Sequence, residues 1–123
     1  MYLLTIPGHL PNANDYIDAG RSNRHKAAKL KAETQERISW YIKRDLRGVK
    51  FTKPVVMAYR WYEKDRRRDK DNIAFAKKFI QDALVNAGVL RNDGWGEIES
   101  FSDEFYVDKY KARVEVRIWE YEK

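Results

Sequence analysis

Several residue types are absent or scarce in this chain of 123 residues, and each absence narrows what the protein can do. Cysteine is absent, which excludes disulfides, zinc–thiolate sites and a cysteine nucleophile. The chain has two histidines, His9 and His25, so a divalent metal site must use mainly oxygen ligands, which magnesium and manganese prefer. No apolar run approaches the roughly 20 residues of a membrane-spanning helix.

The N-terminal segment also lacks the features of a secretory signal. Residues 1–10 have no basic stretch, and their apolar part is too short for a signal peptide. We therefore expect a cytoplasmic protein that does not insert into membranes. The length fits one domain over residues 1–123, and a domain of this size can bury a core without disulfide or metal staples.

Charge is abundant and unbalanced. The chain has 25 Lys and Arg against 19 Asp and Glu, a formal net charge of +6, and 36% of its residues are charged. A basic excess on a small domain favours a polyanionic partner, most often nucleic acid. The same excess can serve solubility alone, so charge by itself leaves both interpretations open.

Hydrophobic periodicity predicts an α/β (α+β) domain with a small mixed sheet of about four strands and two main helices. Apolar residues at three- and four-residue steps predict helices over 22–47 and from about 72 to 88. Short apolar or alternating runs predict four strands. The strands are expected at 2–7, 54–64, 97–107 and 113–120. The order strand-helix-strand-helix-strand-strand indicates helices packed on a sheet.

Three finer expectations concern how these elements connect and pack. The last two strands should form a hairpin across Asp108–Lys111. Residues 14–23 are polar and aperiodic, so we expect them to be irregular. The strand at 54–64 is apolar on both faces, which predicts a central strand buried on two sides.

Acidic residues follow directly after the strand at 54–64. Asp69 and Asp71 are two positions apart, so in extended chain their side chains point to the same side. Neighbouring carboxylates repel, and one would normally take up a proton unless a cation lies between them. Magnesium accepts a few carboxylates together with water and phosphate oxygens. The pair therefore indicates a magnesium site, although capping and ion pairing explain most isolated Asp-x-Asp pairs.

Asp93 is the candidate third ligand. It follows the second predicted helix, whose first residues lie next to Asp71. A helix of about 16 residues is ~24 Å long. Asp93 must therefore return along the sheet to reach the pair, or approach it across a dimer interface. The sequence leaves both routes open.

Basic residues surround the acidic pair. Three arginines directly precede it: Arg66, Arg67 and Arg68. Each could neutralise a phosphate that approaches the metal, or the three could form a solvated charge run. Lys78 lies about two helical turns after Asp71 on roughly the same helix face. There it could stabilise charge on a scissile phosphate, or it could be an ordinary solvated lysine.

The whole segment 65–93 has a more specific pattern. It reads DRRRDKDN over 65–72, then QDALVNAGVL over 81–90, and then Asn92-Asp93. Together with the Leu-Pro-Asn-Ala-Asn loop at 10–14, this pattern resembles the RusA family of Holliday junction resolvases from phages, prophages and bacteria. The resemblance is densest over 63–93. Asn92 stands where some relatives carry an acidic residue.

The RusA resemblance implies a magnesium-dependent endodeoxyribonuclease, in which manganese can substitute, that resolves four-way DNA junctions by paired nicks. It implies a homodimer, which matches a nearly two-fold junction, in the cytoplasm of a bacterial host cell. The family's essential acids, which bind the metal, fall on Asp69, Asp71 and Asp93. Its catalytic lysine falls on Lys78, with Lys77 as the alternative because the helix is slightly longer here. The residues expected to contact DNA are Arg66, Arg67, Arg68, Arg24, Lys26, Lys29 and Lys77.

A non-catalytic nucleic-acid-binding module is the alternative function. It accounts for the positive charge and for the many aromatic residues, whose rings could stack on unpaired bases or simply fill the sheet and interfaces. It leaves the three aspartates unexplained, because acids beside a phosphate repel it unless a metal ion lies between them. A junction-cleavage assay with and without magnesium separates the two functions.

Overall fold

The chain folds into four strands and four helices. The computed structural model describes residues 1–123. In chain order the elements are β1 (Tyr2–Pro7), α1 (Ala13–Ser22), α2 (Arg24–Asp45), β2 (Val55–Glu63), α3 (Lys70–Ala74), α4 (Lys77–Asn86), β3 (Ile98–Val107) and β4 (Arg113–Glu120). The predicted α+β class and the four predicted strands are confirmed. The element order differs from the prediction because an additional helix, α1, precedes the first predicted helix, and because the second predicted helical region contains two helices.

The four strands form one open sheet in the order β1-β4-β2-β3. β4 runs antiparallel between β1 and β2, while β3 pairs with β2 in parallel at the sheet edge. The expected hairpin of β3 with β4 is therefore wrong. β4, whose Val114, Val116 and Ile118 are buried, lies inside the sheet with a strand on each side. Most of β3 is exposed, and an exposed strand tolerates an edge position.

The segment expected to be irregular forms α1, so that prediction is wrong. The helix begins at a capping box, a reciprocal pair of bonds that satisfies two free backbone donors. The Asn12 side chain accepts from the Asp15 N–H at 2.8 Å, and the Asp15 carboxylate accepts from the Asn12 N–H at 3.0 Å. Asn23 then separates α1 from α2, and its side chain accepts from the His25 N–H at 2.7 Å.

The second predicted helical region is also interrupted. α3 is a short helix that ends at Ala74, and α4 begins at Lys77. Because the helix is not continuous, the spacing of Asp71 and Lys78 does not place them on one helix face. The positions of the two side chains depend on the turn at Phe75 and Ala76.

The core lies on one face of the sheet. Twenty-two buried apolar side chains form it, and β2 contributes every second residue from Val55 to Trp61. The alternate residues of β2, which include Arg60 and Tyr62, are half-buried. The central position of β2 is confirmed, but burial on both faces is wrong. None of the helices combines the length and the apolar composition that crossing a membrane requires.

Candidate functional site

The acidic pair lies where the chain leaves the sheet after β2. Residues 64–69 connect the strand to α3, Asp69 is the N-cap of α3, and Asp71 lies in its first turn. Both side chains are exposed. The Asp69 carboxylate makes no capping hydrogen bond, and Asp71 accepts one bond, from the Asn72 N–H at 2.9 Å. Both carboxylates therefore keep oxygens that are open to a ligand.

The acids near this pair have different surroundings. Between residues 63 and 93, every acid except Asp69 and Asp71 contacts a basic side chain. Glu63 contacts His9 and Arg68, Asp65 contacts Arg67, and Asp82 and Asp93 both contact Lys78. Carboxylate oxygens that are open to solvent are ligands that a divalent cation accepts. The donor set of the pair thus fits a magnesium ion.

Asp93 is not assembled with this pair. It lies half-buried in the loop between α4 and β3, where its Oδ2 is 3.3 Å from the Lys78 Nζ. No group of three His, Cys, Asp or Glu side chains is arranged so that it could hold a metal ion. The structure therefore does not bring the three expected ligands together in one chain. The metal-ligand assignment stays a prediction.

The two candidate lysines lie in different environments. The Lys77 side chain is 16% exposed and forms an ion pair with Asp103 of β3. Its Nζ is 4.3 Å from the centre of the Phe101 ring. Asp103 also accepts from the Trp61 Nε1–H at 2.8 Å. Lys77 thus links α4 to the edge strand β3, and its charge is paired with that of Asp103 within the chain.

Lys78 is 62% exposed and lies between two acids, 3.0 Å from Asp82 and 3.3 Å from Asp93. The hydrogen bond with Asp82 is the main cause that raises the pKa of Lys78 above its ordinary value, against a smaller opposing effect of burial. The side chain therefore stays cationic at neutral pH. The greater exposure of Lys78 favours it over Lys77 as the lysine that meets a phosphate. The pairing of Asp82 with Lys78 was not predicted, although the i,i+4 spacing of the two residues is a recognised pairing signal.

The three arginines before Asp69 are not equivalent. Arg68 is half-buried, donates to the Leu10 carbonyl oxygen at 3.1 Å and lies 3.4 Å from Glu63. Arg66 and Arg67 are exposed, and the Arg67 side chain retains 87% of its exposure despite one ion pair at 3.6 Å. Arg66 and Arg67 are therefore available to phosphates, whereas Arg68 mainly joins parts of the fold.

Arg68 belongs to a polar cluster at the end of β2 that the sequence analysis missed. His9 Nδ1 lies 3.1 Å from a Glu63 carboxylate oxygen and 3.4 Å from Arg68. Glu63, the last residue of β2, is buried. The cluster links the loop after β1 to the exit of β2, and so it supports the segment that leads to Asp69. Its members lie far apart in the sequence, which is why spacing alone gives no signal.

The remaining expected DNA contacts lie at the start of α2. Arg24, Lys26 and Lys29 are all exposed, and Lys29 has one loose contact with Glu33 at 3.8 Å. The preceding helix α1 packs through Tyr16 against the aromatic side chains of Phe75 and Phe79. The basic corner between α1 and α2 is thus attached to the α3–α4 region, which carries the candidate site.

Comparisons with known proteins identify no relative of this chain. A scan against models of protein families and a search of curated proteins both find nothing that matches this chain. The RusA resemblance therefore rests on its motif residues, and the activity, metal and partners that it implies stay predictions.

Proposed function

We propose that this chain is a magnesium-dependent endodeoxyribonuclease that nicks branched DNA, such as four-way junctions, as a homodimer. The supporting observation is the exposed pair Asp69 and Asp71, which has no basic partner although the chain has a net charge of +6. The other acids between residues 63 and 93 contact basic side chains, whereas these two carboxylates are open at the exit of β2. A divalent cation is the occupant that suits two such carboxylates.

The proposed chemistry assigns a task to each exposed group. Asp69 and Asp71 hold magnesium, which when bound supplies an activated water and stabilises the leaving oxygen. The cationic Lys78 binds an oxygen of the phosphate. Arg66 and Arg67 contact neighbouring phosphates and raise the affinity for DNA at low salt. Arg24, Lys26 and Lys29 extend this positive surface.

Asp93 has two routes into the metal site under this proposal. In the first, it exchanges its contact with Lys78 for the metal, and Lys78 keeps Asp82 as its counterion at 3.0 Å. In the second, Asp93 of a second copy completes the site. Mixing Asp71→Asn and Asp93→Asn chains separates the routes, because mixed dimers regain an intact site only if one chain supplies the pair and the other supplies Asp93.

The test of the function is cleavage of a labelled four-way junction, with a linear duplex of the same sequence as the control substrate. We expect paired nicks in the junction with magnesium, no nicks in EDTA, and binding of the junction under both conditions. If wild-type chain that binds the junction cuts it neither with magnesium nor with manganese, the nuclease proposal fails.

A non-catalytic nucleic-acid-binding module is the second candidate. The observation in its favour is that one chain contains no group of three side chains suited to a metal. This function predicts that binding depends on salt but that magnesium produces no strand breaks. The cleavage assay above therefore decides between the two candidates.

A further inference from the structure

The two edges of the sheet are protected to different degrees. On β1, the Thr5 N–H donates to Asp45 Oδ2 at 2.8 Å, and the Thr5 carbonyl oxygen accepts from Arg44 Nη2 at 2.8 Å. Pro7 has no N–H, and its carbonyl oxygen accepts from Arg37. Side chains of α2 therefore occupy the outward backbone groups with which another strand would pair.

The opposite edge, formed by β3, is open. The strand reads IESFSDEFYV and contains no Lys, Arg, Pro or Gly, the residues that commonly block or bend an edge. The Asp108 N–H donates to the Glu63 carbonyl oxygen at 2.7 Å. Because hydrogen-bonding direction alternates along a strand, the odd-numbered residues direct their N–H and C=O groups away from β2. These residues are Phe101, Asp103, Phe105 and Val107.

Apolar side chains accompany this open edge. Phe101 and Val107 are 51% and 50% exposed, and Tyr106 is also exposed. The two acids in the middle of the strand are paired within the chain, since Asp103 contacts Lys77 and Glu104 lies 3.4 Å from Arg60, and only Glu99 near the start of the strand has no basic partner. Charge therefore does not prevent a second β3 from approaching this edge. A long edge strand with exposed apolar residues is a template for strand pairing.

We propose that β3 is the surface through which two copies of this chain associate, with their β3 strands antiparallel about a two-fold axis. Pairing of β3 with the β1 edge of another copy would build an open-ended chain of subunits, but the outward backbone groups of Thr5 and the carbonyl oxygen of Pro7 are already bonded to α2, and Pro7 has no N–H to offer. Pairing of β3 with β3 closes on itself and joins the two sheets into one. This inference deepens the proposed function, on which it rests for the expectation of a two-fold assembly.

The first test compares two apolar-to-lysine substitutions on opposite edges. Val107→Lys places a charge on the β3 edge, and Leu3→Lys changes a residue of β1 with a similar exposure of 44%. Sedimentation equilibrium without DNA or metal should give twice the chain mass of 14.7 kDa for wild type and Leu3→Lys, and half that value for Val107→Lys. Circular dichroism checks that both variants are folded. A monomeric wild type, or a folded Val107→Lys that remains dimeric, overturns the proposal.

The second test reads the interface directly by amide hydrogen exchange along β3. Even-numbered residues from Ser102 to Tyr106 bond to β2, so their amides should exchange slowly in monomer and dimer alike. The amides of Phe101, Asp103, Phe105 and Val107 should lose protection on dilution. Fast exchange of these four amides in a dimer would place the interface elsewhere. Because neither test uses DNA or magnesium, each can fail while the nuclease proposal stands, and the reverse also holds.

Discussion

Two sets of charged side chains near the candidate site have opposite surroundings. Asp69 and Asp71 are exposed and have no basic partner. Lys77 with Asp103, and Arg68 with Glu63, are largely buried and paired. A buried charge is costly without its partner, whereas an exposed charge is not. The paired set therefore serves the fold, and the two unpaired carboxylates are free to bind a cation.

The largest expected effect is on cleavage by Asp71→Asn, with Asp65→Asn as the matched control. Asp71 is unpaired, whereas Asp65 is paired with Arg67. Asp71→Asn should reduce junction cleavage at least about 100-fold, since even residues that only orient a metal ligand contribute 10- to 100-fold. Junction binding should persist or tighten, because a negative charge near the phosphate is removed. Normal cleavage by Asp71→Asn would show that it is not a metal ligand.

The two lysines should lose different properties when replaced. Lys78→Ala should slow cleavage by on the order of 100-fold or less, since it removes one exposed charge from the phosphate site, and should leave the unfolding free energy nearly unchanged. Lys77→Ala should lower the free energy of unfolding by about 1–3 kcal/mol, because Asp103 loses its partner while part-buried. Urea denaturation and cleavage rates measure both. Equal effects of the two substitutions would contradict the division.

Replacement of Arg67 and of Arg68 should also have different consequences, with smaller effects than those of the two lysines. Arg67→Ala should weaken junction binding and reduce the dependence of log affinity on log salt by about one unit. Arg68→Ala should instead destabilise the fold, since it removes the arginine contact of the buried Glu63 and leaves the Leu10 carbonyl without a donor. If Arg67→Ala has the same salt dependence as wild type, Arg67 is a solvated surface residue that does not contact phosphates.

The smallest effect concerns pH and the protected sheet edge. Burial would raise the pKa of Asp45, but hydrogen bonds from Arg44 and the Thr5 N–H outweigh it and lower the pKa below the ordinary value of 3.8. A lowered folded-state pKa stabilises the fold above the unfolded-state pKa, and this stabilisation is lost as the pH falls through the folded-state value. Wild type should lose unfolding free energy as the pH falls below about 4. In Asp45→Asn this loss should be smaller, by about 1 kcal/mol or less. Urea denaturation of wild type and Asp45→Asn at pH 7 and pH 3 measures this loss. An equal loss of unfolding free energy in the two proteins would contradict the prediction.

The sequence was sufficient where local signals dominate. The four strands follow from runs of apolar and alternating residues, and the exposed acids after β2 follow from adjacent positions in the chain. α1 was missed although its Asn12–Asp15 capping box was readable, because the segment is polar on average and none of its residues is buried.

The sequence was insufficient where distant residues decide the outcome. The position of β4 between β1 and β2 depends on which strands need two neighbours, and this is a property of the whole sheet. The cluster of His9, Glu63 and Arg68 joins residues that are 54 and 59 positions apart. The difference between Lys77 and Lys78 depends on the turn between α3 and α4 and on Asp103 of β3, neither of which helical spacing reveals.

The most direct test of the central claim is a manganese titration followed by electron paramagnetic resonance, with and without junction DNA. The comparison is between wild type and the Asp69→Asn, Asp71→Asn double variant, with Asp65→Asn as the control. We expect wild type and the Asp65→Asn control to bind manganese, and we expect the Asp69→Asn, Asp71→Asn double variant to lose this binding. Equal binding by all three chains, or no binding by wild type even with DNA, would contradict it.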